Sequence, residues 1–251
     1  DSQFTDPAGV RALVRDLTVE RSRIENNGES VGAGIRLIGN RVESFDVLNS
    51  VIAGNAGFGV AVDGFSTGNG AADVTIRNAT ITGCTIENNG FEGIGLDSVD
   101  SLAIDDCTVR GNGGSGVEFD GDAVDLAVTG TTIADNGVAG LTAPENEIAD
   151  ALIEDCTIAN NFLGGIEFEA VDGLTIRDST IEENFNGVND SQFTDPAGVR
   201  ALVRDLTIER SRIENNGELF GAGIRLIGNR VESFAVLNSV IAGNAGFGIV
   251  V

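Results

Sequence analysis

Hydrophobic and polar positions alternate along this chain in bursts of three to five residues, separated by glycine, asparagine and aspartate. A small residue, an aliphatic two places on and an asparagine five places on recur nine times. The sets are Ser22/Ile24/Asn27, Ser50/Ile52/Asn55, Cys84/Ile86/Asn89, Cys107/Val109/Asn112, Thr131/Ile133/Asn136, Cys156/Ile158/Asn161, Ser179/Ile181/Asn184, Ser211/Ile213/Asn216 and Ser239/Ile241/Asn244. Successive small residues lie 28, 34, 23, 24, 25, 23, 32 and 28 apart. Most units add a glycine followed by an aliphatic, as in Gly93-Ile94 and Gly116-Val117, and an alternating pair such as Leu102-x-Ile104 ahead of the small residue. Bursts this short cannot make helices, and their period of two is that of strands with one buried face. Three strands per unit predict coils that stack, each strand pairing with its equivalents above and below.

A longer period contains the short one. Residues 190–251 repeat residues 1–62 with six differences: Val19/Ile208, Ser30/Leu219, Val31/Phe220, Asp46/Ala235, Val60/Ile249 and Ala61/Val250. Residues 1–189 are therefore one full period of seven coils, and 190–251 begin the next, within a single continuous unit over 1–251 and about nine coils in all. The longer steps mark insertions at coil corners: Val62 to Asp73, Gly28 to Ala33, and Val188 to Arg204. The PAGVRALVRD stretch in the last of these, residues 196–205, has a spacing that also suits a short helix.

Each repeated position has a physical reason. Ser, Thr or Cys fits a tight interior corner, and Ile stacked on Ile fills the bore. Asparagine tolerates left-handed backbone at a bend, and its amide can bond its neighbours in the coils above and below. On these motifs, C-T-[I/V]-x-x-N and Gly-[I/V], the whole chain resembles the right-handed parallel β-helix proteins of the pectin-lyase-like superfamily. The resemblance implies an all-β solenoid with three short strands per coil. It says almost nothing about activity, because this fold hosts many.

Composition changes the picture where chemistry is concerned. The net charge is −24, all 15 basic residues are Arg, and Lys, His, Met, Trp and Tyr are absent. Such acidity opposes nucleic acid and anionic membranes, and no apolar run is long enough to insert in one. It suits an extracellular or cell-surface material that meets divalent cations or high salt. Without His, Lys or Tyr, many general acids and bases have no side chain to reside on, and Trp and Tyr stacking platforms for sugars are missing. The phenylalanines that follow the Asn positions, Phe58, Phe91, Phe162, Phe185 and Phe247, read as corner packing.

Three features remain as candidate chemistry. Cys84, Cys107 and Cys156 sit at the small-residue position, read as buried filler; parallel side chains on a ladder argue against a disulfide, and zinc-ligand spacing is missing. Acids cluster after the Gly-aliphatic strand, and Asp97, Asp100, Asp120, Asp122 and Asp125 form a candidate calcium edge, set against a solvated acidic rim. Neither an EF-hand nor a β-roll nonapeptide is present, and no other cofactor is indicated. The outward position after Gly-aliphatic reads Arg36, Ala61, Gly95, Glu118, Thr142, Glu167, Asn189, Arg225 and Val250. Glu118 and Glu167, two coils and about 9–10 Å apart, make the candidate carboxylate pair of a polysaccharide-active enzyme, the activity that the family resemblance brings with it.

Duplication favours a structural role, since an enzyme needs one site whereas a fibre gains from copies. The expectation is a repeat region of a fibre or adhesin-like protein, with a polysaccharide lyase or inverting hydrolase and a multivalent glycan- or receptor-binding module as alternatives. Neither DSQFTDPAGV nor AGFGIVV resembles a cap, so coils are expected to continue beyond Val251 by covalent chain or head-to-tail contact between copies.

Overall fold

A computed structural model describes residues 10–12, 15–28, 32–37, 41–62, 75–184, 197–217, 222–226 and 231–250. Every described strand pair is parallel and the described residues contain no helix. The chain winds as a solenoid whose turns present three faces. The first face carries short strands such as Ile35–Leu37, Val60–Val62, Ile94–Leu96 and Val117–Phe119. The second carries Asp16–Glu20, Arg41–Leu48, Thr75–Thr82, Leu102–Asp105 and Ala123–Thr129. These two faces merge where single strands, Leu141–Glu154 and Ile166–Arg177, run through both. The third face is a separate sheet of nine three-residue strands, from Arg23–Glu25 to Val240–Ala242.

The nine coils counted in the sequence include the two end levels. Only the seven strands between the ends of the third face are paired on both sides, so about seven turns are fully enclosed. The PAGVRALVRD stretch is not helical. Ala197–Val203 is a strand, with Val199 beside Ile166 and Ile224, and Val10–Ala12 plays the same part in the first copy beside Ile35–Leu37. Pairing to levels above and below supplies backbone partners that a local helix would have to find within itself. Of the loops expected from Val62 to Asp73 and from Val188 to Arg204, residues 63–73 and 188–196 lie outside the described residues, as do Phe185 and Asn189, and the second gives way to a strand from Ala197.

Corners are made by left-handed residues, two per turn. One stands directly before each small residue: Arg21, Asn49, Gly83, Asp106, Gly130, Asp155, Asp178, Arg210 and Asn238. The other stands directly before each ladder asparagine: Asn26, Gly54, Asn88, Gly111, Asp135, Asn160, Glu183, Asn215 and Gly243. The sequence reading gave this geometry to the ladder asparagine itself; the backbone bends one position earlier. Asn, Asp and Gly dominate both sets because the left-handed region costs them least.

The ladder asparagine is thereby turned inward. Eight bonds link all nine, each Nδ2 donating to the next Oδ1 at 2.8–3.0 Å, from Asn27→Asn55 to Asn216→Asn244. Each interior backbone N–H also donates to that Oδ1, as Asn89 does to Asn112 at 3.1 Å. The second Nδ2 hydrogen reaches a carbonyl one level back, as from Asn112 to Ile86 at 3.3 Å. Asn55, Asn89, Asn112, Asn136, Asn161, Asn184 and Asn216 are at most 2% exposed, and no buried side-chain polar atom among the described residues lacks a partner. The ladder crosses the junction between the two periods unchanged: Asn184 donates to Asn216 at 3.0 Å, and Ile181 pairs with Ile213.

Glycine before the first-face aliphatic follows from this close stacking. A Cβ on Gly93 would lie 2.7 Å from the Gly116 carbonyl and from Val109, and 2.8 Å from Asn112 Nδ2. Inside, Ile, Val, Leu and Phe45, Phe119 and Phe168 form one continuous core.

Candidate functional site

Chemistry on this solenoid must reside on its outer faces, because the bore is filled. The positions that follow the first-face aliphatics form a register ladder in the order Arg11, Arg36, Ala61, Gly95, Glu118, Thr142, Glu167, Arg200, Arg225 and Val250. Arg200 thus occupies the position that the sequence reading gave to Asn189. The register resumes at Gly198-Val199, which carries the same Gly-aliphatic signal as Gly187-Val188.

Glu118 and Glu167 flank Thr142 two levels apart, and each is drawn toward its own turn. The Ser115 hydroxyl donates to Glu118 Oε2 at 3.0 Å, and the Glu167 carboxylate lies over Gly164, where a Cβ would meet Oε1 at 2.5 Å. The carboxylate whose charge Glu118 feels is Glu92. Burial pushes both above the ordinary carboxylate range, with the charge of Glu92 adding to the effect at Glu118 and that of Asp120 at Glu92. Sequence reasoning missed Glu92. The signal was available: it stands before Gly93-Ile94, where other turns carry Ala33, Phe58, Ser115, Ala139 or Gly164.

Beside this pair lies an aromatic patch. Phe58 and Phe91 meet edge to face at 5.5 Å, and a Cβ on the outward Gly95 would touch the Phe58 ring at 3.1 Å. Phe91 and Phe162 are exposed at 41% and 45%, so these two are surface rings and not corner packing. A half-buried carboxyl with a raised pKa next to a ring can hold and donate a proton to a bound ligand.

The five aspartates proposed as a calcium edge are distributed over two neighbouring turns. Asp97 and Asp120 follow the paired residues Leu96 and Phe119, and so stack at one corner. Asp100 is exposed one bend further on. Asp122 Oδ1 accepts the backbone N–H of Glu147 at 3.0 Å. Asp125 has φ 48°, as does Asp150 at φ 53° on the next turn, where the following turn uses Gly173, so the bend accounts for an aspartate there. Among the described residues no three acids or thiols converge on a metal position.

The cysteines are free and buried, and they do more than fill space. Cys107 Sγ accepts the Cys84 N–H at 3.4 Å, as hydroxyls accept at other turns, and each thiol donates to the carbonyl two residues earlier. Burial pushes the Cys156 thiol up to about 11, and the bond to Cys84 together with burial pushes Cys107 up. The arginines tie levels together on the outside: Arg110 to Glu87 at 2.8 Å, Arg177 to Glu154 at 2.6 Å, and Arg210 to Asp178 at 2.7 Å.

No curated protein matches the sequence. Among solved structures, the chain is similar to the A-module of the Azotobacter vinelandii mannuronan C-5 epimerase AlgE4, at 16% identity over 94% of this chain and 88% of that one, with a TM-score of 0.43. It is similar to pectate lyase Pel9A at 14% identity over 95% and 79%, TM-score 0.44. The AlgE6 A-module of the same bacterium matches at 15% identity over 92% and 90%, TM-score 0.35. Residues 68–195 and 147–251 match the family model described as right handed beta helix region. With a parallel three-faced solenoid beneath that match, the chain belongs to the right-handed β-helix family.

Proposed function

We propose that this chain is a structural repeat region of an extracellular or cell-surface fibre, a rod lengthened by whole periods. One observation carries the reading: the duplicated segment stacks coaxially on the end of the first period, with the asparagine bond and the core pairing running through the junction unbroken. A duplication that served a second active site would not need that continuity. The bonds between asparagine side chains are also polar along the axis, each Nδ2 donating to the Oδ1 of the later level, so head-to-tail contact between copies presents donors to acceptors. Proteins carrying one, two and three periods, compared by small-angle scattering and electron microscopy, should lengthen by about 34 Å per seven-turn period. Periods that fold as separate bodies joined by linkers would refute it.

A second reading, a polysaccharide-active enzyme or glycan-binding surface, is favoured by Glu92 and Glu118 beside the Phe58–Phe91 pair. Turnover or retention of an acidic polysaccharide that is lost in Glu118→Gln would support it. Absence of both in the unaltered protein would dismiss it.

A further inference from the structure

The small-residue ladder places sulfur beside sulfur at one junction of levels. Cys84 and Cys107 stand at equivalent positions of neighbouring turns, each directly before paired residues, Thr85 beside Thr108 and Ile86 beside Val109. The Cys84 N–H donates to Cys107 Sγ at 3.4 Å, and the two residues are only 2% and 3% exposed. Each thiol also reaches two carbonyls: Cys84 those of Val47 and Thr82 at 3.3 Å, and Cys107 those of Ile81 and Asp105 at 3.2 Å. Each thiol is the main cause of the other's shift, Cys84 down to about 7 and Cys107 up. The third cysteine, Cys156, has the same setting but hydroxyl neighbours, Thr131 on the level before and Ser179 on the level after, whose Oγ accepts the Cys156 N–H at 3.1 Å.

Dimensions decide what such a pair can hold. A thiolate–metal bond of about 2.3 Å makes a linear sulfur–metal–sulfur unit about 4.6 Å long. Neighbouring levels of a parallel sheet lie about 4.8 Å apart, so two sulfurs projecting side by side from adjacent levels are spaced for an ion between them. A disulfide would require them to close to about 2.05 Å, against the parallel direction of the ladder. Zinc would need two further ligands, but the chain has no His, and among the described residues no third acid or thiol converges there. Copper(I) and its heavier congener silver(I) are soft ions that favour thiolate sulfur, and two thiolates complete a linear shell. The route in is short, because Gly83 and Asp106, directly before the two cysteines, are exposed left-handed corners. The net charge of −24 draws cations to the surface from which they would enter.

We propose that Cys84 and Cys107 form a two-coordinate site for one soft univalent cation, copper(I) or silver(I). Each thiol releases its proton to water as its sulfur bonds the ion, and no electron changes hands. The Cys84 N–H stays on Cys107 Sγ and offsets part of the thiolate charge. Cys156 lacks a second sulfur on either neighbouring level and serves as the internal control. The inference does not rest on the fibre reading.

Silver(I) is the probe, since it keeps its oxidation state throughout the assay. The reduced full chain is titrated with silver nitrate in chloride-free buffer, at a dilution where sedimentation shows single molecules. Bound ions are counted by native mass spectrometry, and the thiolate-to-metal absorption is followed in the ultraviolet. One ion should bind tightly per chain, and Cys156→Ser should leave that ion in place. Cys84→Ser and Cys107→Ser should each weaken it at least about a hundredfold, the low end of the gain from joining two binding groups. Serine already occupies this buried position at Ser50, Ser179 and Ser211, so the variants keep the fold, which circular dichroism checks. Absence of a bound ion at equimolar silver, binding that survives Cys84→Ser or Cys107→Ser, or an equal loss in Cys156→Ser would each overturn the proposal.

Discussion

Replacing Asn112 with leucine tests the ladder where it is most enclosed. The side chain, 1% exposed, makes four bonds: Nδ2 to Asn136 Oδ1 at 3.0 Å and to the Ile86 carbonyl at 3.3 Å, and Oδ1 from Asn89 N at 3.1 Å and Nδ2 at 2.9 Å. Leucine leaves two buried donors of Asn89 without an acceptor. At about 1–3 kcal/mol for each orphaned group, the loss is about 2–6 kcal/mol. Asn78→Leu removes one bond, from Nδ2 to the Glu43 carbonyl at 3.3 Å, at an exposed position that water reaches, so its cost should be about 1 kcal/mol or less. Denaturant unfolding of the two variants would measure the difference. Amide exchange at Asn89 would report it locally, which matters because solenoids can unfold turn by turn. If Asn112→Leu costs no more than Asn78→Leu, or Asn89 exchange is unchanged, the ladder is not what holds the corners.

Other outcomes follow from the same geometry. Gly93→Ala drives a Cβ to within 2.7 Å of backbone and core, and should destabilise by about 1–3 kcal/mol in thermal melting, where a methyl at an open surface position would not. Glu92 and Glu118 have raised pKa values when folded, so the folded state binds their protons more tightly than the unfolded state. Their contribution to stability is present at and below the ordinary glutamate range and is lost as pH rises through the folded values. The double variant Glu92→Gln with Glu118→Gln should therefore melt with a weaker fall across that window than the unaltered protein, and parallel melting curves would contradict the assignment. Cys156 should resist alkylation at pH 8 in the folded chain and react once unfolded, while Cys156→Ser, which installs the residue used at Ser179 and Ser211, should fold normally by circular dichroism.

Most of the architecture was present in the pattern of residues. The spacing of Ser22, Ile24 and Asn27 and its eight recurrences determined the three faces, the parallel stacking and the inward asparagine line, because a period-two burst between fixed corners has one way to bury its aliphatics. What the pattern could not supply is relation between turns. The left-handed corners fall on the residue before each ladder asparagine, a position shared by Asn, Asp, Gly and Glu183, so composition alone does not mark it. The strand at Ala197–Val203 read as a surface loop or a short helix until pairing with Ile166–Arg177 and Ala222–Leu226 provided its backbone partners. The charge of Glu92 reaches Glu118 across neighbouring turns, a relation that no spacing along the chain displays. The sequence alone determined which residues repeat. Only stacking decided what surrounds each asparagine: Asn216 accepts from Asn184, 32 residues earlier in the chain, and donates to the Ile181 carbonyl.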